Sequence, residues 1–384
     1  MPTTPTEPGF VHLHLHSEYS LLDGGNTVPK LVARVKELGM DAVAITDHGN
    51  LHAAIEFHDH ARRQGIKPIL GIEAYVAPTD RTDRSRTDMT YGGFHLVLLA
   101  EDLTGWRNLM KVSSDAFVNG FYYKPRTDKS MLEQHAEGLI AINGHLGSSL
   151  AYHLGLYVKD GSEQHWTNAL EEARWHQRVF GTNEDGEPRF FVELQRHIEE
   201  QEAINPHLVR LAEEIGAPLV VDNDAHFLRA EDHDVHDTLC CISMAKNKAD
   251  ENRFHYPKEL YVKSPQEMAE VFPDQPEALQ NTVRIGERCN VDLSSEENHA
   301  PVVKVIHPGE APVYEGGDRT EWFKRYCSQF ALEPFDASLE AELTAEDLKE
   351  SCDQALRDLC EAGLIWRLRF LQEVPKSCIK HSPD

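Results

Sequence analysis

Eleven residues in the first 226 of this chain have the types and spacing that metal chemistry needs. The segment VHLHLHS places His12, His14 and His16 at alternate positions, on one face if the chain is extended. Asp23 follows in SLLDGG, Asp47 and His48 in ITDHG, Glu73 in GIEAYV, His95 in GFHLVLLA, His145 in INGHLG, and Asp224 and His226 in DNDAH. Taken singly, each has an ordinary reading. A histidine near a strand end is more often hydrogen-bonded than ligating, and Asp47 or Asp222 could cap the helix that follows. Glu73 is harder to dismiss, because a carboxylate inside an apolar run must be paired or must ligate a cation. Independent accidents would not gather at successive strand ends, so the joint pattern points to metal binding. Imidazole and carboxylate without thiolate suit zinc, manganese or iron(II), whereas calcium or magnesium would draw mostly oxygen. The candidates outnumber what one four-coordinate ion uses, which implies two to three clustered divalent ions. Such clusters activate water and stabilise the attacking and leaving oxygens of phosphate ester hydrolysis.

The elements that would position these residues are legible as an alternation. Short apolar runs at Phe10 to His16, Asp41 to Thr46, Lys67 to Val76, His95 to Leu99, Leu139 to Asn143, Arg189 to Gln195 and Pro218 to Asp222 are separated by segments with helical periodicity. Nearly continuous apolar runs such as DAVAIT and GLIAIN are typical of parallel strands covered on both faces. Seven strands, each followed by a helix, predict an α/β fold: a distorted (β/α)7 barrel, with an open doubly wound sheet as the alternative. In either case the functional face lies at the C-terminal ends of the strands. All but one of the candidates fall there; His95 is awkward, because it opens its strand.

Residues 1–9 read as a disordered N-terminus, 10–228 as the barrel, and 229–293 as a helical extension. The Pro-, Gly- and Glu-rich stretch 294–343 reads as a linker, and 344–384 as an amphipathic helix and tail. Thr344 with Asp347 resembles a capping box, followed by the apolar stripe Leu348, Cys352, Ala355, Leu356 and Leu359, closed by Gly363. The composition narrows the classes. With 38 Lys+Arg against 64 Asp+Glu, the net charge is −26, which argues against a protein held to nucleic acid mainly by a basic surface. No apolar run approaches the ~20 residues of a membrane span, and the N-terminus is no secretory signal. Seven Cys without a C-x-x-C pair favour reduced thiols and a cytoplasmic location.

HLHLHSEYSLLDGG, AITDHGNL, GIKPILGIEAYVAP, GFYYKPRTD, VVDNDAHFLRAEDHDVHDTLCCI and ELYVKSPQEMAEVF resemble the PHP (polymerase and histidinol phosphatase) domain, and more narrowly that of bacterial DNA polymerase III alpha subunits. The resemblance covers Gly9 to Leu293 and implies a trinuclear site. Its nine ligands fall on His14, His16, Asp23, His48, Glu73, His95, His145 (often Cys in the alpha subunit), Asp224 and His226. Alignment on the following Ser and LLDG places the H-x-H pair at His14 and His16, leaving His12 aside. The implied activity is metal-dependent phosphoester hydrolysis in the form of 3′ to 5′ exonuclease proofreading at a DNA 3′ end, with Asp23 and Asp224 as catalytic candidates that orient water. The implied partners are DNA, the remaining polymerase III alpha domains and other holoenzyme subunits, with no membrane. The palm that would carry nucleotidyl transfer, and use magnesium in a full-length relative, has no counterpart here, so the chain reads as an N-terminal portion truncated before the palm. Two other readings remain: a metal-stabilised structural and interaction module of the replicase, and a small-molecule phosphatase of the histidinol phosphate type.

Overall fold

The computed structural model describes residues 9–21, 23–85, 92–293, 303–335 and 343–367. The expected disordered start (all but residue 9) and the tail beyond residue 367 lie outside them. The chain divides into two compact units, Met1–Ser294 and Ser295–Asp384. Among the described residues, no helix is long and apolar enough to cross a membrane.

The first unit is an α/β distorted barrel. Its strands are β1 (Ala42–Ile45), β2 (Lys67–Val76), β3 (Phe94–Ala100), β4 (Arg126–Thr127), β5 (Leu139–Asn143), β6 (Phe190–Leu194) and β7 (Leu219–Val221). They run in the order β1-β2-β3-β5-β6-β7, with β4 on β2. Besides the two-residue β4, which matches none of the seven expected runs, the expectation differs from this in two places. β3 is antiparallel to both β2 and β5, with Tyr75 opposite His95 and Val97 opposite Ile142, where a parallel strand was expected. The reversal removes the difficulty with His95. The N-terminal end of an antiparallel strand lies beside the C-terminal ends of its neighbours, so His95 opens β3 at the functional face.

The second difference concerns Phe10 to His16, which is extended without forming a regular strand. One oxygen of the buried Asp222 carboxylate accepts the backbone N–H groups of both Leu13 and His14, at 2.7 and 3.0 Å. Successive N–H groups of a regular strand point to opposite sides, so this arrangement requires a local kink. Side chains satisfy the amides on either side as well: Thr282 takes that of Val11, and Thr46 takes that of Leu15. Enough backbone bonding survives to join the sheet edges. Ala44 donates to His12 and Thr46 to Leu15 on the β1 side, while Leu15 and Ala225 form a parallel bridge beyond β7, His16 donating to the Ala225 carbonyl.

Inside the barrel, Val11, Leu13, Ala42, Ala44, Ile69, Val97, Leu99, Ile140, Ile142, Phe191 and Val220 form one buried cluster, with Ile285 and Cys289 packed against its lower end. A larger apolar layer lies between the sheet and the outer helices. The inward columns change character along their length. Ile69 and Gly71 lead to Glu73, Leu99 and Val97 to His95, and Phe191 to Glu193. The period of two therefore carries apolar side chains into the floor and ionisable ones into the mouth. Helices His233–Ser243, Pro265–Val271 and Pro276–Arg288 belong to this unit.

In the second unit, the stretch expected as a linker carries structure. β8 (Val303–Ile306) pairs antiparallel with β9 (Ala331–Pro334), and helix Arg319–Cys327 lies between them in sequence. Trp322 and Tyr326 bury themselves with Ala362, and Phe323 stacks on Trp366 at 4.7 Å. The aromatics of an otherwise Pro- and Gly-rich segment therefore supply a small core. The capping box forms as expected, Thr344 and Asp347 bonding reciprocally. The helix Ala345–Arg367 nevertheless runs through Gly363 and leaves Leu356 exposed, because Ala362, Ile365 and Trp366 hold its last turn.

Asp222 is the fold's most exacting polar contact. Asp222→Ala leaves three buried amides, those of Leu13, His14 and Asn223, unsatisfied and should lower unfolding free energy by at least about 3 kcal/mol. Urea denaturation measures this, and a loss below about 1 kcal/mol would show that the kink is held by other contacts.

Candidate metal centre

Six imidazoles and four carboxylates meet at the mouth of the barrel. The kinked segment brings His14 and His16, the loop after it Asp23, the end of β1 His48, β2 Glu73, the start of β3 His95, the turn after β5 His145, β6 Glu193, and the exit of β7 Asp224 and His226. Every sequence-expected ligand is in this group. His12 is not: its ring turns away, with Nε2 2.9 Å from the Lys263 carbonyl and Nδ1 3.7 Å from Asp222. Asp47 also stays outside, accepting from the Ser17 amide and from the hydroxyls of Ser17 and Ser20.

Glu73 lies at the centre. Its Oε1 is 2.8 Å from His95 Nδ1, 2.9 Å from His145 Nε2 and 3.3 Å from His14 Nε2. Its Oε2 faces His16 Nε2 at 3.6 Å and touches His48. Asp224 Oδ1 reaches His16 at 3.1 Å and His14 at 3.4 Å, and Asp23 reaches His48 at 3.3 Å. Asp224 adopts φ +46°, a left-handed conformation that aspartate tolerates better than most residues. Gly147 gives His95 its room, since a Cβ there would come 2.8 Å from the ring.

Three of the imidazoles are aimed from behind. His14 Nδ1 meets Glu193 at 3.1 Å, His16 Nδ1 meets the Ser20 hydroxyl that donates onward to Asp47, and His226 Nδ1 meets the Asp224 carbonyl at 2.7 Å. Each contact fixes a ring and leaves its Nε2 for the cluster, the arrangement by which outer groups orient metal-ligating histidines. Glu193 is the residue that sequence reasoning missed. Its signal was the one that marked Glu73, a carboxylate in an apolar run (FFVEL), without a neighbouring motif to draw attention to it.

The electrostatics calls for cations. Burial is the largest influence on every group and opposes charge, yet His95 and His48 hold the Glu73 carboxyl well below the usual range, and His14 and His226 do the same for Asp224. The carboxylates in turn lift His14 well above its ordinary value, and Glu193 and Glu73 push His145 up to about 9. His16 falls to about 3 through burial and its neighbours His48 and His226. Even so, His14 Nε2, His16 Nε2, Asp23 Oδ1, His48 Nδ1, Glu73 Oε2, His145 Nε2 and Asp224 Oδ1 are buried without a hydrogen bond. Buried donor atoms that converge without bonding one another fit divalent ions. The triads His16–His48–His226, His14–His16–Glu73, His14–His145–Glu193 and His48–Glu73–His95 each hold their donor atoms within 4.8 Å. The cluster opens into a cavity of about 770 Å³ lined by Tyr19, Tyr75, Phe117, Lys124, Phe254 and Tyr256 among others.

Residues 12–197 match the PHP domain family. DNA polymerase III subunit alpha of Treponema pallidum is 43% identical over 300 residues, covering 78% of this chain and 25% of its own length. Its counterpart in Borreliella burgdorferi is 42% identical over 283 residues, 73% of this chain and 24% of its own. That of Thermus aquaticus is 41% identical over 294 residues, 74% and 23% respectively. The chain thus spans about a quarter of the length of these curated relatives. A solved amidohydrolase from Chromobacterium violaceum aligns over 56% of this chain and 87% of its own at a TM-score of 0.36 and 14% identity, too slight to carry an argument.

If Glu193 acts by orienting His14 and His145, Glu193→Gln should weaken divalent-metal affinity about 10- to 100-fold without removing a cavity-facing donor. Competition against a chromophoric chelator reads this, and unchanged affinity would assign Glu193 to folding alone.

Proposed function

This chain carries a PHP domain over residues 12–197 and is a relative of bacterial DNA polymerase III alpha subunits, and on that premise we propose that its barrel is a metal-dependent phosphoesterase that removes nucleotides from the 3′ end of DNA. The observation that carries the reading is the convergence of His14, His16, Asp23, His48, Glu73, His95, His145, Asp224 and His226 on one buried cluster at a cavity mouth. These nine would hold two to three zinc, manganese or iron ions, with Glu73 at the centre of the donor set. When bound, such ions activate water and neutralise charge on a phosphate.

The side chains supply the rest. Asp23 and Asp224 both line the cavity and are placed to orient an attacking water. Tyr256 positions Asp23, its hydroxyl donating to Oδ2 at 2.6 Å, while His236 fixes the same residue through its carbonyl at 2.7 Å. Polymerase activity belongs by name to relatives about three times as long. For this chain we assign no nucleotidyl transfer to the residues present, and we place it with the remaining alpha domains or other replicase subunits, in the cytoplasm.

A second reading, a metal-stabilised docking module, is favoured by one observation. The donors come from segments all round the barrel, so ions would also tie its strands together. A histidinol-phosphatase-like activity is the weaker alternative, and turnover of histidinol phosphate against DNA separates it.

The test is the manganese- or zinc-loaded chain with 3′-labelled DNA. Release of label is expected, falling at least 100-fold in a His14→Ala, Asp224→Ala double variant. No release, or equal release by the double variant, contradicts the reading. Chelation that abolishes release while leaving the melting temperature unchanged would set aside the structural role.

A further inference from the structure

The walls of the cavity are aromatic in a way that the metal cluster does not require. On one side the His226 ring lies 5.4 Å from Tyr256, and Tyr256 lies 4.9 Å from Phe254, which is 62% exposed. On the other side Tyr75 sits 5.0 Å from His95 and 6.2 Å from His48. Lys124 then extends over the Tyr75 ring at 5.1 Å, and Tyr123 beside it is 70% exposed. His52 and Phe117, 5.9 Å apart, add a third part of the rim, Phe117 being 40% exposed. One ring track therefore leads from the ligating imidazole of His226 to Phe254 in water, and on the opposite wall Tyr75 and Lys124 lie between the imidazoles and the exposed Tyr123.

Charge excludes the commonest way of holding a nucleic acid. The chain carries −26 overall, and among the described residues lining the cavity Lys124 is the one Lys or Arg. Phosphate neutralisation along a duplex needs several such cations, and a cavity of this volume is the size that encloses one small ligand. A base out of its stack offers an aromatic surface whatever its identity and binds aromatic side chains without a cation.

Resting on the phosphoesterase reading, we propose that the rim formed by Phe117, Tyr123 and Phe254 grips unstacked nucleobases, so that the site takes a single-stranded or frayed 3′ terminus and discriminates against a fully paired end. Phe254 and Phe117 supply the stacking faces, and Lys124 meets a backbone phosphate. Terminal phosphodiesters are then presented to the cluster only when the last bases have left the duplex.

The experiment uses the full chain loaded with manganese and a fluorescent strand of about twelve nucleotides carrying phosphorothioate linkages at its 3′ end to slow hydrolysis. Anisotropy compares it with a blunt duplex of the same sequence. Single strand should bind at least about tenfold more tightly, and Phe254→Ala and Phe117→Ala should each weaken it roughly five- to hundredfold. Phe254→Tyr and Phe254→Trp should keep binding, while Phe254→Leu, equally apolar but without a ring, should not. The logarithmic salt slope should stay shallower than about −2, reflecting few phosphate contacts. All the substituted residues are partly exposed, so melting temperatures should not move. Equal binding of duplex, or full binding by Phe254→Leu, overturns the proposal, and the second result would make the rim a surface for an apolar protein partner. The two levels separate cleanly. Ring-dependent binding without release of 3′ nucleotides leaves this proposal and removes the phosphoesterase. Release from paired and unpaired ends alike, indifferent to both Phe→Ala changes, does the reverse.

Discussion

A carboxylate buried to about 1% exposure among five imidazoles sets the terms for the rest of the barrel. Taking Glu73 out of water costs several kcal/mol, and only charge or hydrogen bonding at close range offsets that. The surrounding histidines can offset it with protons, and the neighbouring carboxylates push His14 and His145 upward accordingly. Divalent ions would offset it better. Four carboxylates, Asp23, Glu73, Glu193 and Asp224, balance two dications, and a third would leave net positive charge facing the cavity. That surplus would suit a phosphate, and it would come from the ions, not from the polypeptide. The strongly acidic composition and a phosphate-directed site are therefore compatible.

The same constraint explains why the strand ends look as they do. Apolar residues fill the floor and allow ionisable ones only where neighbouring strands supply partners, so each inward column switches type near the mouth. The irregular first segment belongs to this arrangement. A regular strand at Phe10 to His16 would pair its amides with backbone. Instead Asp222, Thr46 and Thr282 take them, and the resulting kink swings His14 and His16 into the cluster while His12 turns to Lys263.

How much of this was legible beforehand follows from which features are local. The strands from β1 to β7, apart from two-residue β4, announced themselves through apolar runs. The nine cluster residues carried over by resemblance also converge in space. The antiparallel direction of β3 left no mark, because a strand's own residues do not encode the direction in which it runs; without it, His95 looked misplaced. Glu193 was visible only as a charge in an apolar run, since its importance lies in distances to His14 and His145 across the barrel. The small core of the second unit was hidden for a related reason. Trp322, Tyr326 and Trp366 are spread over more than forty residues without a common periodic pattern, and their contacts are tertiary.

The central claim is that these donors exist to hold clustered divalent ions about Glu73. Elemental analysis of the purified chain after saturation with manganese or zinc and removal of free metal counts them directly. About two to three ions per chain are predicted, with at least one lost in Glu73→Gln. Fewer than about one ion per chain, or a full complement in Glu73→Gln, would contradict it.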